Sequence, residues 1–222
     1  NSLVIGNGFE TKLKLDSTGS EWTSQLFYYN SNHKTDQAYT TQYISPVSFI
    51  NAGDGTVDNH RDLISGRTDL KLKMKKRFTF ESGLKSAIHI FNNNTLFYSE
   101  VNGTRVPDAG RTNRFRYKEN INAAYVQGSK TMGKDIVLKF GTRLENTNMR
   151  GDQEIPADTS FAIHRTDLFP YVFLSKSLMK IAGYDLRAYL VYRRTITRPV
   201  YEQLNPFSRY VDAYVSEVGN PS

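Results

Sequence analysis

The sequence predicts an all-β chain folded as an antiparallel up-and-down meander of about eight strands. Three observations lead there. Stretches of strict apolar–polar alternation recur along the 222 residues, the pattern of half-buried strands. The connections between them alternate short and long. Aromatic residues reach 13%, with 14 Tyr and 13 Phe, and these side chains fit a pleated surface.

The first alternating stretch is Phe9–Leu15, followed by a short Gly-containing turn at 16–20. A second strand starts near Trp22, passes through Leu26 and Tyr28 and extends toward Ile44. Residues 45–66, rich in Gly, Asn and Asp, read as a long loop. Alternation resumes at Leu70–Phe78, and Glu81-Ser82-Gly83 reads as a tight reversal into Leu84–Tyr98. A second long loop is expected over 99–113, which holds Asn102-Gly103, Pro107 and Gly110. Phe115–Gln127 and Ile136–Thr147 form the next pair across 128–135. Ile136, Leu138, Phe140, Thr142 and Leu144 share one face, and Val137, Lys139, Gly141, Arg143 and Glu145 share the other. A third long loop spans 148–166, then Leu168–Leu178 and Tyr184–Arg198 pair across 179–183.

Short turns at one end and long loops at the other are the arrangement of a membrane-spanning β-barrel. Mean hydropathy is −0.54, and no run approaches the roughly 20 apolar residues of a membrane helix. A barrel strand escapes that test, because only alternate residues face lipid. The whole chain, 1–222, reads as a single domain of barrel wall. It starts without Met and stops after Gly219-Asn220-Pro221, so a fragment of a longer processed protein is expected.

The net charge of +7 invites a nucleic-acid reading, but its placement argues otherwise. Lys71, Lys73, Lys75 and Arg77 alternate with Leu72, Met74, Lys76 and Phe78. With the apolar side toward lipid, these four cations point into the lumen, together with Lys12, Lys14, Lys139, Arg143, Arg187 and Arg193. Lys76, on the outer side, would cost about 2–4 kcal/mol at the bilayer midplane, so it belongs at an interface. The lumenal cations are either balanced by Asp and Glu on neighbouring strands or form a positive lumen for an anionic substrate or plug surface. No DNA- or RNA-binding signature accompanies them, so no nucleic-acid partner is expected.

The closing stretch carries a resemblance. Arg193, Arg194, Arg198, Pro199, Tyr201, Leu204, Asn205, Pro206, Phe207, Asp212, Gly219, Asn220 and Pro221 match, in order and spacing, a signature of outer-membrane β-barrel proteins related to TonB-dependent receptors of Bacteroidetes-type bacteria. Tyr117-Lys118-Glu119-Asn120-Ile121 with Tyr125, Gly141-Thr142-Arg143-Leu144-Glu145 with Thr147, and Leu168-Phe169-Pro170 resemble further strand motifs of the same family. Thr142 stands where Leu is commoner. The resemblance implies location in the outer membrane of a Gram-negative bacterium and active uptake of an unidentified nutrient. It also implies two partners outside this chain, a plug domain in the lumen and TonB as energy donor. A complete receptor of this type has 22 strands around a plugged lumen, of which this chain would supply about a third. The motif residues are expected to brace the loop entry. Alternatives are a scaffold barrel in a larger envelope complex and, remotely, a soluble β-sandwich binding module.

Signs of catalysis are missing. His33, His60, His89 and His164 stand singly, without a second ligand at metal spacing. Asp58–Asp62 reads as a solvated loop, since Asp54-Gly55 lacks the order of a calcium loop. Asp152 and Glu154 have no acid–base partner pattern. There is no cysteine. Neither an enzyme nor a cofactor is expected.

Overall fold

A computed structural model describes residues 1–222 except 102, 134, 199–200, 205–208, 211–214 and 221–222. Among the described residues the chain is a succession of antiparallel hairpins: β1 (Ser2–Lys14), β2 (Glu21–Tyr43), β3 (Phe49–Met74), β4 (Phe78–Val101), β5 (Thr104–Pro107), β6 (Asn113–Met132), β7 (Ile136–Ile155), β8 (Thr159–Ile181) and β9 (Tyr184–Arg193). They form one nine-stranded sheet in the order β1-β2-β3-β4-β6-β7-β8-β9, with the short β5 folded back on β4. The sheet is open, with β1 and β9 at its edges. A four-residue helix α1 (Tyr201–Leu204) and a small β10–β11 pair (Arg209–Tyr210, Ser216–Glu217) follow. The all-β up-and-down meander expected from alternation is the observed fold.

Cross-strand partners lie on the same face of a sheet, so the register sorts every side chain. Leu26, Gly66, Ser86, Asn122, Asn146 and Thr166 form one row. The row below it is Ser24, Thr68, Leu84, Ala124, Leu144 and Leu168. This face carries the exposed apolar belt: Leu26 is 63% exposed, Leu84 60%, Leu144 50% and Leu190 69%. In water such a patch would be far larger than soluble monomers expose; against hydrocarbon it is the expected surface. Trp22 sits at the low end of the belt and donates its indole N–H to Thr68 Oγ1 at 2.6 Å.

The opposite face holds the charges, and they are interleaved. Lys12 and Lys71 both reach Glu21, at 2.7 and 3.6 Å. Arg67 meets Asp69 at 2.5 Å, and Asp69 also accepts the Tyr125 hydroxyl at 2.7 Å. The Tyr125 ring lies over Gly83, its register partner on β4. A Cβ there would meet Asp69 Oδ1 at 2.6 Å as well as the ring, so glycine is needed for the close approach.

Several boundaries differ from those read in the sequence. Residues 45–66 and 148–166 are not long loops, whereas the connection from β4 to β6 does fall within 99–113 and carries the short β5. β2 runs to Tyr43 and β3 begins at Phe49; β7 runs to Ile155 and β8 begins at Thr159. β3 is 26 residues long, whereas about 9–11 suffice to cross a bilayer, so the hairpins continue well past the apolar belt. Beyond the belt, as over 57–62 of β3, both faces carry polar side chains, and the hydrophobic contrast that marks a strand disappears although the ladder persists. Residues 80–83 are not a reversal either; they pair within β4. The turn is the 3-10 segment Lys75–Arg77, with Lys76 and Arg77 at φ 59° and 56°. No Gly or Asn marks it in the sequence. β9 ends at Arg193, short of the expected Arg198.

Candidate functional site

The charged face gathers its buried polar groups at the upper edge of the belt. Glu145 on β7 and Asp167 on β8 are register partners, 5% and 8% exposed respectively. Two carboxylates side by side at that burial require cations. Each has one from its own strand and one from the segment after β9. Arg143 reaches Glu145 Oε2 through Nε at 2.8 Å, and Arg198 donates to Glu145 Oε1. Arg165 approaches Asp167 Oδ2 at 3.5 Å, and Arg194 Nη2 approaches Asp167 Oδ1 at 3.4 Å. Two arginine–carboxylate–arginine clamps thus pin the chain leaving β9 back across β8 and β7.

Farther from the belt the same segment is held by apolar packing. Leu204, 2% exposed, is buried among Phe91, Phe115, Tyr117 and Met149, with Phe161 and Ile163 against the cluster. Burying such a side chain contributes about 1.5–3 kcal/mol. Gly151 makes room for the cluster, since a Cβ there would strike the Phe161 ring and come within 3.0 Å of Phe115. The backbone N–H of Asn220 donates to the Gln203 carbonyl at 2.7 Å, which ties the end of the signature to α1.

The residues singled out in the sequence divide as follows. Arg194 and Arg198 are in the clamps, Leu204 is in the apolar cluster, and Asn220 is hydrogen-bonded to Gln203 of α1, with Gly219 just before it. Arg193 lies on the charged face opposite Tyr171. Tyr201 begins α1. Pro199, Asn205, Pro206, Phe207, Asp212 and Pro221 lie outside the described residues. Lys71, Lys73, Lys139, Arg143 and Arg187 fall by register on the face opposite the belt. Lys75 and Arg77 do not lie on a strand face. They occupy the 3-10 turn, where Arg77 Nη1 donates to the Gly133 carbonyl at 3.0 Å, and Lys76 is in the same turn.

Sequence reasoning missed Glu145 and Asp167 as the pivots. The available signal was a carboxylate two residues after an arginine in both Arg143-Leu144-Glu145 and Arg165-Thr166-Asp167, the spacing that places both on one face. The expected acidic loop at 58–62 is part of β3, where His60 Nε2 lies 2.6 Å from Asp62 Oδ2. Asp152 and Glu154 are within β7 and pair with Arg150 and Arg114.

A sheet with a tall apolar face, a charged opposite face and hairpins running past the belt is the wall of a membrane-spanning β-barrel. The family model for the outer membrane protein beta-barrel family matches residues 13–222, and the chain belongs to that family. It is an outer-membrane protein of the Gram-negative envelope. No curated protein matches the chain.

Proposed function

We propose that the chain is the wall of a TonB-dependent transport barrel that takes up a nutrient across the outer membrane, with its charged face toward the lumen. The observation that carries this reading is the segment pinned by Arg194, Arg198 and Leu204. Residues of the receptor-like signature occupy the charged face itself, where a lumenal segment could respond to a plug or ligand. Interleaved cations and carboxylates suit a wet interior that a polar plug can enter and leave, since few exposed ion pairs contribute more than about 1 kcal/mol. The hairpins beyond the belt would be extracellular and would offer the surface for first capture. In this scheme the protein performs no bond chemistry and needs no cofactor; its partners are lipid, a plug and TonB.

Solute depletion from defined medium tests this, comparing the producing bacterium with strains lacking this gene or TonB. Uptake of the same solute should be lost in both deletions and restored by the gene. Normal uptake of every solute in the gene deletion, with a weakened envelope instead, would favour a scaffold barrel.

A further inference from the structure

The apolar face is interrupted by a groove of about 710 Å³ crossing β2 to β7. Its walls include Leu26, Leu84, Ala124 and Leu144, and Gly66 leaves its floor open. It is an open trough along the sheet and not an enclosed cavity, a shape suited to an extended apolar chain lying on the surface. A flat barrel surface needs no such trough to meet disordered lipid chains. Its upper rim is polar: Ser86, Asn122 and Asn146 all line it.

The rim continues as a carboxamide network on the same face. Ser86 donates to Asn122 at 2.7 Å, and Asn122 donates to Asn120. Asn146 donates to Thr166 at 3.0 Å, Asn148 donates to Asn146 at 2.6 Å, and His164 lies 2.8 Å from Asn148. Such a band suits a sugar or ester layer, with donors and acceptors but no net charge.

One row farther out, Lys118 and Arg150 are direct register partners. Like charges opposite each other destabilise a sheet. Arg150 is paired with Asp152, its Nε 2.9 and 3.0 Å from the two carboxylate oxygens and its Nη2 2.9 Å from Oδ1, so the three side chains together carry one net positive charge. Lys118 has no carboxylate partner among the described residues. From Asn122 to Lys118 the strand advances about 13 Å. Along one line of the outer surface there is thus an apolar trough, an uncharged polar rim and a net positive charge.

We propose that this line binds one lipid of the outer leaflet, an acylated glycolipid with a phosphorylated headgroup. An acyl chain fills the trough, the sugar meets the Asn122–Asn146 rim, and the phosphate lies between Lys118 and Arg150. The trough is continuous with the lipid-facing belt, and the positive charge that Lys118 adds beside the Arg150–Asp152 pair matches the headgroup in sign, which selects a lipid over a protein partner.

The test uses the full-length protein extracted from outer membranes in mild detergent, with native mass spectrometry counting retained lipid. The probes are the phosphorylated glycolipid of the same membrane, its dephosphorylated form, and inorganic phosphate. Wild type should retain the phosphorylated form best. Gly66→Leu and Ala124→Leu, which fill the trough, should lose both lipids while still giving the heat-sensitive migration of a folded barrel. Lys118→Gln with Arg150→Gln should bind the two lipids alike, with about fivefold lost for each charge removed. Equal retention by all variants, equal competition by inorganic phosphate, or a dimer abolished by Gly66→Leu would each overturn the assignment. If one filling variant fails to fold, the other and the charge variant still decide.

Discussion

Removing Arg198 should release the segment after β9 while leaving the wall intact. Arg198 has a side chain 23% exposed and Glu145 one 6% exposed. Cutting one partner from a fully buried pair costs about 3–5 kcal/mol. Here Arg143 stays on the other carboxylate oxygen at 2.8 Å, so Glu145 keeps one counter-charge. Arg198→Ala should therefore cost the docked state about 2 kcal/mol. Glu145→Ala should cost more, because it leaves two guanidinium groups facing each other. In the double variant the Arg198 change should add little, so that the pair is strongly non-additive. Amide exchange at Leu204 and Asn220 reads the equilibrium directly, since local opening sets their protection. A 2 kcal/mol loss corresponds to exchange about 30-fold faster at those amides, with no change at amides of β7 and β8. Unchanged exchange in both single variants would refute the clamp, as would simple additivity.

Leu204→Ala should free the same amides by a different route, at about 2–5 kcal/mol for a leucine emptied from a packed site; protease cutting between 194 and 204 would report it. Gly151→Val should block the Phe161–Phe115 packing and lower the yield of folded barrel, by about 1–3 kcal/mol or more, measured by denaturant unfolding in lipid vesicles. Leu84→Arg lies near the middle of the belt and should cost about 2–4 kcal/mol, whereas Asn148→Arg beyond the rim on the same face should cost about 0–1 kcal/mol; equal costs would break the assignment of the belt's upper edge. The Ser20 hydroxyl and the Ser20 backbone N–H at 3.0 Å, with Thr18 Oγ1 at 2.7 Å and Thr18 N at 2.8 Å, favour the charged Asp16 carboxylate and hold its pKa well below the ordinary aspartate value. Because the folded pKa is depressed, the turn keeps its full stabilisation above the ordinary value. It loses that stabilisation only as pH falls toward the folded one, which the Thr18 and Ser20 amide shifts should follow.

How much of this was legible follows the solvent. Where one face meets the belt and the other meets charge, as in Ile136–Glu145, alternation marks strand and face together. Where a strand leaves the belt, as in β3 at Val57-Asp58-Asn59-His60, both faces carry polar side chains and the polar string reads as loop. Backbone pairing does not need hydrophobic contrast, so the ladder runs on unseen. Turn chemistry misled for a related reason. Gly83 is there to admit the Tyr125 ring, not to reverse the chain, and the real turn places Lys76 and Arg77 in the left-handed region without a marker residue. The site was half legible. Arg194, Arg198 and Leu204 stood out through the signature, but their partners are defined only by register.

That register explains why the two clamps come as a pair. Glu145 and Asp167 are opposite each other, so each would suffer from the other's charge if either lost its cations. Arg143 and Arg165 alone would neutralise them on their own strands and leave the exit segment free. Drawing Arg194 and Arg198 onto the same two carboxylates makes charge balance on the wall depend on where the exit segment lies. Apolar burial of Leu204 makes the same demand farther along the segment. An event that displaced the segment would therefore have to break both contacts or replace the arginines with other cations, and only a partner carrying positive charge could do the second without unsettling β7 and β8.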